Sequence, residues 1–240
     1  MPENDADPLA WLLSLEGLPS AFAATRDGID IMLRDRGLRR TRPEQTTESL
    51  LLGAHASAVL DGSTSDLDQV RAGAGDATAA AALRVSTELL GLVPTLKHTP
   101  MQAFARIHSL AGKGELDDDQ LGRPVSPEAA ERLQTLSNTM IATKVPALMV
   151  SALVHAELIA VAPFASHNGI VARAAERLVM VARGVDPASL VVPELGHLLV
   201  RPEYESNLRA YQSGGRSGLH AWLSYAAEAY TKGAEASPLR

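Results

Sequence analysis

Apolar positions recur at intervals of three and four residues along almost the whole chain, carried by Leu, Val and Ala, and no period-two alternation lasts beyond a few residues. That spacing puts one apolar stripe on a helix, so it predicts an all-α fold. Punctuation divides the pattern. Ser20 and Gly37 bracket a first helix, and a second runs from about Pro43 to Asp61 and stops at Gly62. Asp76 opens an alanine-rich helix to about Leu92, while Thr99 with Pro100 and Ser126 with Pro127 mark two further starts. A nearly uniform apolar helix follows from Pro146. After it come a helix through Arg183 closed by Gly184, a turn-like VDPASL piece, and two last helices in RPEYESNLRAYQSGG and GLHAWLSYAAEAYTKGA.

Composition narrows the class. With 240 residues, 46% hydrophobic and 21% charged, the chain buries one substantial core. The longest apolar stretch, Val145 to Phe164, carries His155 and Glu157 near its middle, which predicts a central core helix rather than a membrane span. Gly112 to Ser126 is polar and rich in Gly and Asp, hence a surface loop, and its acidic triplet Asp117 to Asp119 lacks calcium-loop spacing. The net charge of -6, with Leu33 to Arg42 as the nearest approach to a basic run, argues against a nucleic-acid partner. An acidic start and the absence of cysteine fit a cytoplasmic protein with no disulfides, thiol nucleophile or cysteine-rich zinc site. His55, His98, His108, His197 and His220 show no metal-ligand spacing, and no metal site is expected.

Candidate chemistry concentrates in AVAPFASHNGIVARAAERL, Ala160 to Leu178, a polar turn between two helices. A helix N-terminus presents unpaired backbone N–H groups and the positive end of the helix dipole, so it favours an anion. Gly169 permits close approach, the Asn168 amide offers a donor, and Arg173 lies one turn further on. On local physics alone, a simple cap with a structurally paired Arg173 is the competing reading.

The stretch resembles the signature of Fic/Doc (Fido-domain) proteins, H-x-F-x-(D/E)-G-N-G-R-x-x-R, matching it at Phe164, Asn168, Gly169 and Arg173. The resemblance implies a Fido-type helical bundle around the central apolar helix, with Phe164 as the anchor of the turn. Ala162 stands where the family has its catalytic histidine, and a methyl group accepts no proton. Ser166 replaces the carboxylate that holds Mg²⁺, His167 replaces a glycine of the phosphate cradle, and Ile170 replaces the first arginine. His155 lies seven residues before Ala162, about 10 Å along a helix, too far to substitute as the base. His167 is the candidate catalytic base within the turn.

A second match lies upstream. Many Fic proteins carry an inhibitory helix motif, (S/T)-x-x-x-E-(G/N), whose glutamate pairs with the last arginine of the signature, and Ser57, Asp61 and Gly62 hold its spacing. The expectation is an Asp61–Arg173 pair, one methylene shorter in reach. The resemblance spans roughly residues 44–215, preceded by a helical extension, 1–43, and followed by a packing helix, 216–240. The loop before Ser126 lacks the hydrophobic strand pattern of the family's peptide-aligning flap.

Three functional readings follow. The first is a Fic-like protein with a degenerate motif, without ordinary AMP transfer, that binds ATP, another nucleotide, a phosphate ligand or a protein partner through Asn168, Gly169 and Arg173. The second is a nucleotidyl or phospho-group transferase acting on a protein hydroxyl through His167. The third is a purely structural or interaction module.

Overall fold

The computed structural model describes residues 7–36 and 42–239, so the basic run at Leu33 to Arg42 and the stop at Gly37 fall largely outside it. Twelve α-helices build the described residues: α1 Leu18–Arg36, α2 Pro43–Leu60, α3 Leu67–Arg71, α4 Ala77–Glu88, α5 Val93–His98, α6 Pro100–Ala111, α7 Pro127–Ala142, α8 Ala147–Val161, α9 Asn168–Ala182, α10 Pro193–Leu199, α11 Arg201–Gln212 and α12 Gly215–Glu235. No strand forms among them, and the only β-bridge among them is an isolated one between Lys113 and Leu116. The all-α expectation holds.

Two of the four expected caps hold, Asp76 and Ser126, while the Thr99 hydroxyl makes no cap bond to α6. Asp76 accepts from the Ala79 N–H at 2.9 Å and Ser126 accepts from the Ala129 N–H at 3.2 Å, each satisfying a donor that the first helical turn leaves unpaired. Gly62 ends α2 at φ +92°, a conformation that strains other residues. Ser20 is different: α1 begins at Leu18, and the Ser20 hydroxyl donates back to the Gly17 carbonyl inside the helix. α3, α5 and α10 are not among the expected helices, the first two because five or six residues carry too little periodicity and the third because VVPELGHLLV is apolar nearly throughout.

α8 sits at the centre, with every residue from Leu148 to Ala156 buried. Two apolar clusters flank it. Val150, Val154 and Leu158 face the core made with α2, α4, α6 and α9, whereas Leu148, Met149, Ala152 and Ala156 face the one made with α1, α11 and α12. A helix packed on both sides has no polar face to show, which explains its unbroken hydrophobicity. At fifteen residues it is too short to cross a bilayer. Ala77–His98 is the one described helical stretch that is long and apolar enough by composition, and a third of it is buried.

Candidate functional site at the α8–α9 turn

α8 ends on Ala162 in the left-handed region, φ 43°, and α9 starts after His167, also left-handed at φ 56°. Two non-glycine residues in that region are strained, on the order of 1–3 kcal/mol each, and the surroundings must hold them. Asn168 does much of this: its Oδ1 accepts from the Phe164 N–H at 3.0 Å and its Nδ2 donates to the Phe164 carbonyl at 2.8 Å. The Asn168 amide donor, expected to face an anion, is therefore turned back onto the turn's own backbone.

Phe164 is buried and stacks on His108 of α6, with centroids 4.4 Å apart and planes 7° from parallel. Burial pushes the His108 pKa down to about 4, with the nearby His167 adding to the effect. The ring is thus neutral near pH 7. Its Nδ1 accepts from the Gly122 N–H at 2.9 Å, which leaves the proton on a buried, unpartnered Nε2. The Val125 N–H also donates to the Pro163 carbonyl at 2.9 Å. The loop between α6 and α7 thus clamps the turn through its backbone, although no strand pattern marks it in the sequence.

His167 packs under the same loop. Its Nδ1 lies 2.5 Å from Ser166 Oγ and its Nε2 lies 3.4 Å from a Glu115 carboxylate oxygen. The Ser166 hydroxyl is consequently engaged by an imidazole and stands where the Fic signature has a carboxylate. A neutral hydroxyl already hydrogen-bonded is a poor donor for a hard divalent cation. The residues present do not fit a Mg²⁺ site of the kind the signature implies.

Arg173 is 1% exposed. Its Nε donates to Ser57 Oγ at 2.9 Å, Nη2 to the Ser57 carbonyl at 3.0 Å and to Asp61 Oδ1 at 2.5 Å, and Nη1 to the Tyr204 hydroxyl at 3.2 Å. Burial opposes the guanidinium charge, but Asp61 and Tyr204 more than compensate and hold its pKa above the usual arginine value. The same Asp61 carboxylate covers the start of α9. A Cβ built on Gly169 would lie 2.7 Å from Oδ2 and 2.9 Å from Cγ, closer than real contacts allow. Gly169 is therefore the residue that makes room for the carboxylate, which lies against the positive end of the α9 dipole.

A second arginine does similar work one turn along. Arg177, buried, pairs with Glu194 of α10 through Nε at 2.9 Å and Nη2 at 2.7 Å, and its Nη1 reaches Ser49 Oγ at 3.1 Å. Gly53 on α2 leaves space for this pair, since a Cβ there would meet Arg177 Nη2 at 2.5 Å. Arg173 and Arg177, four residues apart on α9, thus bolt α2 down through Ser57 and Ser49. Nothing in the Fic signature marks Arg177 or Glu194; the one local signal is an arginine on the otherwise apolar face of a core helix.

No family's sequence profile matches the chain, and no curated protein sequence does. Solved structures do match. A Fic family protein from Desulfovibrio desulfuricans G20 superposes with a TM-score of 0.74 at 15% identity, covering 90% of this chain and 73% of that one. Fic-1 (residues 134–508) from C. elegans superposes with a TM-score of 0.65 at 19% identity, covering 95% and 72%. With α8 as its buried axis and the Phe164 to Gly169 turn leading into α9, the chain adopts the fold of Fic family proteins.

Proposed function

We propose that this is a Fic-like protein whose helix-terminal anion site is occupied by its own Asp61, and that it does not carry out ordinary AMP transfer. The observation that carries the reading is the position of one carboxylate, which at once fills the space over Gly169 and pairs with Arg173. Ala162 offers no base at the position the signature reserves for one, and Ser166 offers no metal-binding carboxylate. A nucleotide or phosphate ligand would compete directly with Asp61 for the α9 N-terminus and the Arg173 guanidinium. Isothermal titration of wild type and Asp61→Ala with ATP, other nucleotides and inorganic phosphate tests this. Binding that strengthens at least tenfold in Asp61→Ala supports an occluded anion site. No binding by either protein sinks it in favour of an interaction module for a protein partner.

One observation favours a second reading, an active transferase on a protein hydroxyl. His167 is held between the Ser166 hydroxyl and the Glu115 carboxylate, the arrangement of a base with a group on each nitrogen. It predicts nucleotide-dependent labelling of protein substrates that His167→Ala abolishes. Absence of label with every nucleotide tried removes it.

A further inference from the structure

Behind Arg173, and outside the turn altogether, three side chains of metal-ligating type meet in the core: His155 of α8, Glu176 of α9 and His197 of α10, all fully buried. Glu176 Oε2 lies 2.9 Å from His155 Nδ1 and 2.9 Å from His197 Nε2. His197 Nε2 is aligned for a hydrogen bond to Oε2, whereas His155 Nδ1, at the same separation, is not aligned for one and is left as a buried polar atom without a well-placed partner.

We propose that His155, Glu176 and His197 form a binding site for one divalent first-row cation, zinc being the ion whose ligand preferences they meet best. Two imidazoles and one carboxylate are a recognised zinc ligand set, leaving the fourth position for a small oxygen ligand. The atoms not facing the common point are each held by a separate phenol. His155 Nε2 meets Tyr204 OH at 3.0 Å, His197 Nδ1 meets Tyr225 OH at 2.8 Å, and Glu176 Oε1 accepts from Tyr230 OH at 2.6 Å. An outer partner on the far atom of each ligand is how proteins fix the tautomer and orientation of metal-binding imidazoles and carboxylates. Holding the ion requires both outer nitrogens to donate to their phenols, so that both inner nitrogens present lone pairs; without an ion, His197 Nε2 lies within hydrogen-bond reach of Oε2.

Charge and geometry point the same way. Glu176 is a carboxylate with no exposure to water, and the Arg173 guanidinium, one hydroxyl away through Tyr204, is already paired with Asp61. A buried carboxylate calls for a cation or a proton on one of its imidazoles. Zinc held about 2.0–2.1 Å from each donor spreads tetrahedral ligand atoms to about 3.3 Å, so the 2.9 Å separations open by a few tenths of an ångström on capture. Trp222, fully buried with its ring 5.2 Å from that of His155, closes the cluster, so the ion enters as the chain folds.

The full chain, produced with zinc in the medium and dialysed against EDTA to strip surface ions, is assayed by elemental mass spectrometry. About one zinc per chain is expected, falling below a tenth in His197→Gln and Glu176→Gln. Cobalt(II) supplied in place of zinc is expected to give visible absorption bands that Tyr225→Phe, which removes one outer hydroxyl, leaves in place while weakening retention about 10–100-fold. Folded wild type that holds less than a tenth of a metal ion per chain from zinc- or cobalt-supplemented medium, with an unfolding midpoint unmoved by either ion, overturns the proposal and leaves a proton-bridged carboxylate–imidazole network. Should the ligand variants fail to fold, the wild-type metal content and the Tyr225→Phe retention decide the matter.

Discussion

Asp61 is the residue on which the candidate site turns, because it meets two demands with one carboxylate. It neutralises a guanidinium that is almost wholly buried, and it lies over a helix N-terminus where only glycine leaves it room. The two roles predict a coupled effect. Gly169→Ala forces Cβ into the carboxylate and is expected to destabilise the fold by about 1–3 kcal/mol, the range for overpacking. In an Asp61→Ala background the three atoms nearest the new methyl are gone, and alanine is the better helix former, so the cost is expected to vanish or reverse. Denaturant unfolding of the four proteins in that cycle checks it; an equal cost in both backgrounds would show that Asp61 does not fill the space over residue 169. The Ser57, Asp61 and Gly62 spacing was legible in the sequence, as was the Arg173 partner, because both motifs are local strings. Asn168 was misleading for a physical reason: a side-chain amide at a turn competes for the nearest backbone groups before any ligand arrives.

At the scale of elements, the α8–α9 turn is held from outside by α6 and the loop that follows it. His108 joins these parts, stacking on Phe164 and accepting from the Gly122 N–H. Its pKa lies near 4 in the folded chain against 6.5 for an ordinary histidine, so between those values the unfolded chain binds the proton more readily. The contribution is intact above pH 6.5 and is lost as the pH falls toward 4, by on the order of 3 kcal/mol in total. His108→Phe keeps the stack but removes the titration. The stability difference between wild type and this variant is expected to grow more unfavourable to wild type from pH 7 to pH 4, measured by urea unfolding; a pH-independent difference would rule out a depressed His108. Caps predicted the helices that frame this unit. The clamp itself was not legible, because Gly122 and Val125 act through backbone N–H groups that any residue but proline carries.

The molecule as a whole is organised by α8, whose two sides belong to two clusters built from distant parts of the chain. α1 and α12 share one of them, with Phe22, Leu148, Trp222 and Tyr230 in the same packed group. Removing α12 would expose that side of the central helix and uncover His155, Glu176 and His197. A fragment ending at residue 214 is therefore expected to show no cooperative thermal transition by circular dichroism; a sharp transition would show that the rest of the chain folds without α12.

What the sequence determined by itself is what neighbouring residues decide among themselves: helical periodicity, the caps at Asp76 and Ser126, the glycine stop at Gly62, and a turn whose Phe164, Asn168, Gly169 and Arg173 fit the Fic signature. Those features are set by interactions within one or two helical turns, or by a short string that can be matched. The tertiary structure alone decided that Asp61 fills the space over Gly169, that Arg177 finds Glu194, and that His155, Glu176 and His197 meet in one sealed group. These residues lie 17 to 112 positions apart on separate helices or at either end of one connection, and no local spacing records them. Their meeting is fixed by how apolar stripes pack around α8, and buried polar groups then pair with whatever that packing brings within reach.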